Sequence, residues 1–230
     1  MFSPWVRYPI AAAFAAFVMY QVRKPSSVFG RVMTSAMNAS HSKMTDWGLR
    51  QVSVEKQFTI LDVGCGGGRT IRKYAAAASD GMVYGVDYAK GSVAASRAEN
   101  REAIKAGRVE IQQASVSELP FPDAKFDLVS AVETIYYWPD PAKDLAEILR
   151  VLKPGGRVIV TCEFYKGGRW SSFKSPVMKL LGSKNFDMDE YKSLLVSAGF
   201  IEVQVVVEPS HGWICAIGKR PSGLSGRPHA

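Results

Sequence analysis

The sequence predicts a doubly wound α/β fold: a mostly parallel sheet with helices on both faces and an antiparallel pair at its end. Three observations predict it. Short apolar runs bounded by glycine or aspartate alternate with segments of helical periodicity. The first of these runs, residues 58–63, passes straight into the glycine cluster Gly64-Cys65-Gly66-Gly67-Gly68, which opens a helix. The last two runs, residues 201–207 and 213–218, follow one another closely and read as the closing antiparallel pair.

Residues 1–23 form an apolar appendage, with an AAAFAAFVMY run, Arg7 as its one early charge, and Arg23 at its end. Its apolar part is about 15 residues, short of the roughly 20 that span a bilayer as a helix. No small-residue cleavage site follows it, which disfavours a removable signal peptide. Three readings stay open: a membrane-associated helix held at the headgroups by Arg23, Lys24 and Arg31, a mitochondrial targeting segment in a eukaryote, or a lid packed on the domain. Lys24-Pro25-Ser26-Ser27 marks the break, and residues 24–218 form the domain proper.

Within that domain, helix is expected over much of 28–55, then the first strand at 58–63. Ile71, Tyr74, Ala75 and Ala78 recur at i, i+3, i+4 and i+7, which predicts a helix after the glycine cluster. A second strand at 82–87 ends in Asp87 and is followed by one polar helix through 92–106. Strands at 109–113 and 126–131 come next. Asp140-Pro141 supplies a cap and a first-turn proline for a helix carrying Leu145, Ile148, Leu149 and Leu152 on one face. Lys153-Pro154-Gly155-Gly156 stops it, and the fifth strand covers 157–162. Asp187 with Glu190 three residues on forms a capping box for the last helix, which stops at Gly199. Residues 219–230 read as a flexible tail.

Charge and cysteine content narrow the function classes. The net charge is +8. It divides as +5 over residues 1–45, −2 over 46–152 and +5 over 153–230. A near-neutral middle with basic ends suits a nucleic-acid binder or a protein lying against an anionic membrane. The three cysteines, Cys65, Cys162 and Cys215, show no metal-knuckle or CxxC spacing, so no metal site is expected. Their sparse use favours a reduced, intracellular compartment over a secreted disulfide scaffold.

In such a sheet a ligand sits at the carboxyl ends of the strands, at the point where strand order reverses. There the glycines let the backbone turn sharply and approach a ligand. Asp87, 23 residues beyond Gly64, can accept from both hydroxyls of a ribose. The dinucleotide fingerprint requires a glycine where Arg69 stands, and no lysine follows the glycines as a phosphate loop requires. An NAD-dependent oxidoreductase is therefore disfavoured.

The segments ILDVGCGGGRT, VYGVD, SELPFPDAKFDLVSAVETIYYWPD, ILRVLKPGGRVIV and LLVSAGF, in this order, resemble class I S-adenosylmethionine-dependent methyltransferases of the small-molecule "type 11" kind. The resemblance runs from about Lys24 to Gly218. It implies a Rossmann-like, seven-stranded sheet with the last strand antiparallel, and S-adenosylmethionine as cofactor. It further implies that Asp62, Gly64, Cys65, Gly66 and Gly68 line the methionine end of the cofactor, that Asp87 holds the ribose, and that Tyr88 lies against the adenine. Where the family often has an aspartate facing the adenine amino group, this chain has Ser115, followed by Val116. Val132 and Glu133 would stand between cofactor and acceptor.

A general base is needed only if the acceptor must lose a proton near attack. Glu133 and Tyr136 are the leading candidates because they leave a central strand, and His211 before the last strand is a third. His41 and Trp47 belong to the amino-terminal region, where Trp47 suits a lid. His229 lies in the tail, and Trp138 reads as packing. The segment 165–186 is a basic cap insertion carrying Lys166, Arg169, Lys174, Lys179 and Lys184 and no acidic residue. With residues 1–23 it would make an apolar, cation-rimmed entrance for a lipophilic or anionic small-molecule acceptor, or a membrane-facing surface. Cytoplasmic or membrane-associated placement follows from that reading. Nucleic-acid methylation is the alternative suggested by charge, against which no nucleic-acid module is visible. A non-catalytic cofactor-binding scaffold is the third.

Overall fold

The computed structural model describes residues 42–169, 171 and 182–223. A helix α1 (Ser42–Leu49) precedes strand β1 (Thr59–Val63), which feeds α2 (Arg69–Ala77), β2 (Met82–Asp87), α3 (Lys90–Glu99) and α4 (Arg101–Lys105). Then come β3 (Val109–Gln113), β4 (Phe126–Val132), a 3-10 turn (Ile135–Tyr137), α5 (Pro141–Val151), β5 (Leu152–Cys162), α6 (Met188–Ser197), β6 (Ile201–Glu208) and β7 (Trp213–Lys219). The seven strands form one sheet in the order β3-β2-β1-β4-β5-β7-β6, with β7 antiparallel to both neighbours.

Side-chain alternation on each strand builds two cores. Leu61 and Val63 face one layer while Ile60 faces the other. Val129 and Leu128 divide the same way, as do Val158 and Ile159, and Ala216 and Cys215. Helices α5 and α6 cover the first layer through Leu145, Ile148, Tyr191 and Leu195, and α2 and α3 cover the second through Ile71, Tyr74 and Val93. Strands buried on both faces explain why their sequences read as continuous apolar runs.

Three expectations need correction. The helix expected over much of 28–55 is, within the described residues, only Ser42–Leu49; the chain from 50 to 58 is turn and loop. The single helix expected at 92–106 is two, broken at Asn100. This residue is buried and its side-chain amide donates to Gly68 O and Ser96 O, both at 2.9 Å. Tying α3 to the glycine turn outweighs continuing the helix. Finally, Lys153–Gly156 does stop α5 but does not delay β5. The strand begins at Leu152 and absorbs this stretch in a bulge, the register against β4 jumping between Phe126↔Leu152 and Leu128↔Arg157. Both predicted caps form. Asp140 accepts from Lys143 N, and the Asp187–Glu190 box closes in both directions. The apolar appendage 1–23, His41, the tail's His229 and most of the cap insertion lie outside the described residues.

Candidate active site

At the carboxyl ends of β1, β2 and β4 opens a cleft of about 410 Å³. This is the size that small ligands occupy. Its floor is the turn between β1 and α2. Gly64 N and Cys65 N both donate to Val86 O, at 2.8 and 3.0 Å, so the turn is stapled to the end of β2. Gly64 and Gly66 have φ of +72° and +50°, a region open to glycine at little cost. A β-carbon on Gly66 would meet only Gly64 O at 4.0 Å and would project into open space on the cleft side.

Two carboxylates stand in this floor. Asp62, almost fully buried, accepts from Ser130 Oγ at 2.6 Å. Burial pushes its carboxyl up to about 7, against the pull of the Ser130 bond and with a further push from Asp87. Asp87 accepts from Gly66 N at 3.0 Å and Ala89 N at 2.9 Å. Burial raises it too, opposed by those backbone bonds and by Ser92. Neither carboxylate is ion-paired among the described residues. Buried anionic groups facing a cavity without a cation of their own fit a ligand that carries positive charge. S-adenosylmethionine, with its sulfonium and ammonium, is such a ligand, and the bare backbone at Gly66 leaves room for it.

Most of the expected cofactor residues meet here. Asp62, Gly64, Cys65, Gly66, Asp87, Tyr88, Ser115, Val116 and Val132 all line the cleft. Cys65 contributes backbone, while its buried thiol packs beneath Gly85 and is pushed well up by burial and the two nearby carboxylates. Gly68 is a correction. It does not line the cleft but starts α2 at φ +82°, where a β-carbon would lie 2.5 Å from Ser96 Oγ and Asn100 Nδ2. Its role is to let α2 and α3 close on each other.

The acid–base candidates divide further. Glu133, with φ +60°, lines the cleft, but its carboxylate is engaged: Tyr136 Oη and Glu163 N both donate to it. Tyr136 is buried beneath the cleft wall, where burial and Glu133 hold its hydroxyl protonated, and its neighbour Tyr137 takes the lining position instead. The 3-10 turn at Ile135–Tyr137 causes this, rotating successive side chains by about a third of a turn. His211 is also corrected. It sits exposed at the tip of the β6–β7 hairpin, its Nδ1 2.6 Å from Glu208 and its ring stacked on Trp213 at 4.2 Å, away from the lining residues. Trp47 packs on Trp213 rather than on the cleft, and Trp138 is core that also borders it.

Sequence reasoning missed Thr45, Arg69, Thr70, Ser92, Thr134 and Tyr137 as lining residues. Arg69 and Thr70 follow the glycines directly, so their place in the turn was a usable signal. Thr45 had none, because α1 reaches the cleft only through tertiary packing.

Residues 61–160 match the family model described as "Methyltransferase domain". The chain carries a class I S-adenosylmethionine-dependent methyltransferase domain. Over 101 residues the domain is 38% identical to the O-methyltransferase cnsE of Penicillium expansum, covering 44% of this chain and 36% of that protein. Over 122 residues it is 36% identical to the demethylmenaquinone methyltransferase of Bacillus licheniformis, covering 52% of this chain and 50% of that one. The chain thus spans about half or less of these curated relatives. A solved complex of the Haloferax volcanii Trm112 methyltransferase activator with a methyltransferase aligns with a TM-score of 0.71, at 21% identity over 82% of this chain and 94% of that one. That likeness shows the shared fold. The methyltransferase domain's glycine turn and Asp87 lie inside the matched segment, whereas α1, the cap insertion and the β6–β7 hairpin lie outside it.

Proposed function

We propose that this chain transfers a methyl group from S-adenosylmethionine to a small, largely apolar acceptor. The observation that carries the reading is the cleft itself, with two unpaired buried carboxylates and open backbone at Gly66 on one side and Val132, Tyr137, Trp138 and Pro139 on the other. When bound, the cofactor supplies an activated methyl on a sulfonium, so the protein's task is to hold the acceptor in line with it. Asp87 would hold the ribose hydroxyls. Asp62 would face the ammonium, Ser115 the adenine edge and Tyr88 its plane. Glu133, fixed by Tyr136 and the Glu163 amide, would hold the wall between cofactor and acceptor in place rather than act as a mobile base. Of the residues considered for proton handling, Tyr137 stands in the lining.

The entrance is less cationic than its sequence suggests. Lys184 Nζ donates to Trp138 O and Pro139 O, at 3.1 and 2.6 Å. Lys166 lies 3.8 and 3.6 Å from Asp187 and Glu190, and Arg169 donates to Ser210 O. Three of the insertion's five cations thus have internal partners, which favours an apolar acceptor over a strongly anionic one.

The test is calorimetry on the purified chain with S-adenosylmethionine and, as control, NAD. Binding of the first alone, followed by S-adenosylhomocysteine release with apolar phenols or acids, supports the reading. Binding of neither overturns it.

A further inference from the structure

We infer that Arg69 is the receptor for the carboxylate of the cofactor's methionine arm and the residue by which this site selects an amino-acid arm over a bare thioether. The inference rests on the cofactor reading above. Among the described residues lining the cleft, the charged side chains are Asp62, Asp87, Glu133 and Arg69, so Arg69 is the one cation. The proposed cofactor carries two positive groups and one negative one. Its positive groups have Asp62 and the field of a carboxylate-rich floor; its single carboxylate has only Arg69. Any other placement would bring that carboxylate up against Asp62 or Asp87, both already raised by burial and lacking a cation.

Position agrees with charge. Arg69 is the first residue of α2, directly after the glycine turn, on the Asp62 side of the cleft and away from Tyr88, Ser115 and Val116. Its guanidinium is also held. Arg69 Nη2 donates to Ser42 Oγ, and Lys73, one turn further along α2, pairs with Asp46, one turn further along α1. Two polar ties four residues apart on each helix fix α1 along the start of α2 and bring Thr45 into the cleft. A guanidinium has five donors in a planar fork, enough to serve a hydroxyl and a carboxylate together. The side chain that reads the carboxylate is then the one that anchors α1.

Calorimetry with three ligands on four proteins tests this. The ligands are S-adenosylhomocysteine, its decarboxylated aminopropyl analogue, and 5′-methylthioadenosine, which lacks both amine and carboxylate. The proteins are wild type, Arg69→Met, Arg69→Lys and Ser42→Ala. The expected result is a loss of roughly 10- to 100-fold for S-adenosylhomocysteine in Arg69→Met, with affinity for the other two ligands unchanged. Arg69→Lys recovers part of the loss, and Ser42→Ala keeps the wild-type ranking of ligands. Equal losses for all three ligands in Arg69→Met would reduce Arg69 to a tie for α1 and overturn the inference, as would no loss for any. If wild type binds none of the three, the cofactor reading fails instead, an outcome distinct from either.

Discussion

Asp62 sits where function and stability pull against each other. Its carboxyl titrates near 7 in the folded protein and near 3.8 when unfolded, the rise coming from burial. The unfolded chain gives up this proton first, so the group's contribution to stability falls as pH climbs from about 4 to about 7 and is constant above. The cost approaches about 4 kcal/mol at most in the free protein. Asp62→Asn keeps an acceptor for Ser130 and removes the charge. It should raise the melting temperature, more at pH 8 than at pH 5, while weakening S-adenosylmethionine binding. In wild type, affinity for that cation should fall as pH drops below about 7, up to tenfold per unit. A pH-independent affinity would show that Asp62 does not face the ligand. Gly68 is a contrasting case. An alanine there meets Ser96 and Asn100 and a left-handed backbone at once, so Gly68→Ala should lose about 2–4 kcal/mol in denaturant unfolding. The glycine cluster was legible as a ligand turn, but one of its glycines serves helix packing. Spacing alone could not separate the two roles, because both demand the absence of a β-carbon.

Among the elements, α5 and α6 were legible because their start signals are local. In α6 the Asp187 carboxylate accepts from Glu190 N at 2.8 Å while Glu190 accepts from Asp187 N at 2.7 Å. Removing it as Asp187→Ala should cost about 1–2 kcal/mol, with a fall of roughly 2–4 °C in melting temperature per kcal/mol. Unchanged thermal unfolding would mean that tertiary packing alone holds α6. The corresponding bond in α5, Asp140 accepting from Lys143 N, is longer at 3.4 Å, and its replacement should matter less. Elements whose limits depend on distant contacts were not legible. The break at Asn100 answers to Gly68, 32 residues earlier, and β5 starts at Leu152 because it pairs with Phe126 despite the prolyl-glycyl stretch that follows. The 3-10 turn that exchanged Tyr136 for Tyr137 is likewise invisible in an apolar-polar pattern, since both are tyrosines.

For the molecule as a whole, the sequence carried strand count, sheet direction and the place of the cleft, because each parallel strand is a separate apolar run ending near its functional residue. What lies beyond the cofactor cleft is set by segments brought together late in the chain: α1 against β5 and β7, and the hairpin tip against the cap. Charge shows the same division, with the excess outside residues 46–152. If the basic insertion meets an anionic bilayer, reversing Lys174 and Lys179 to glutamate should abolish liposome binding and reduce turnover of apolar acceptors. Binding and turnover both unchanged would rule out that surface.

The position of β7 between β5 and β6 bears on how the protein is made. When Cys162 has left the ribosome, β5 is an open edge, and the strand that covers it begins only at Trp213. At ordinary synthesis rates that interval is roughly 3–10 s. Throughout it, Val158, Val160 and Cys162 line an unpaired apolar border beside the wall that Glu133 will brace, and α1, already synthesised, can set Gly48 on Thr161 but has no Trp213 to receive Trp47. The acceptor side of the cleft is therefore completed last, and a nascent chain stalled before Trp213 presents a strand edge able to pair with another chain.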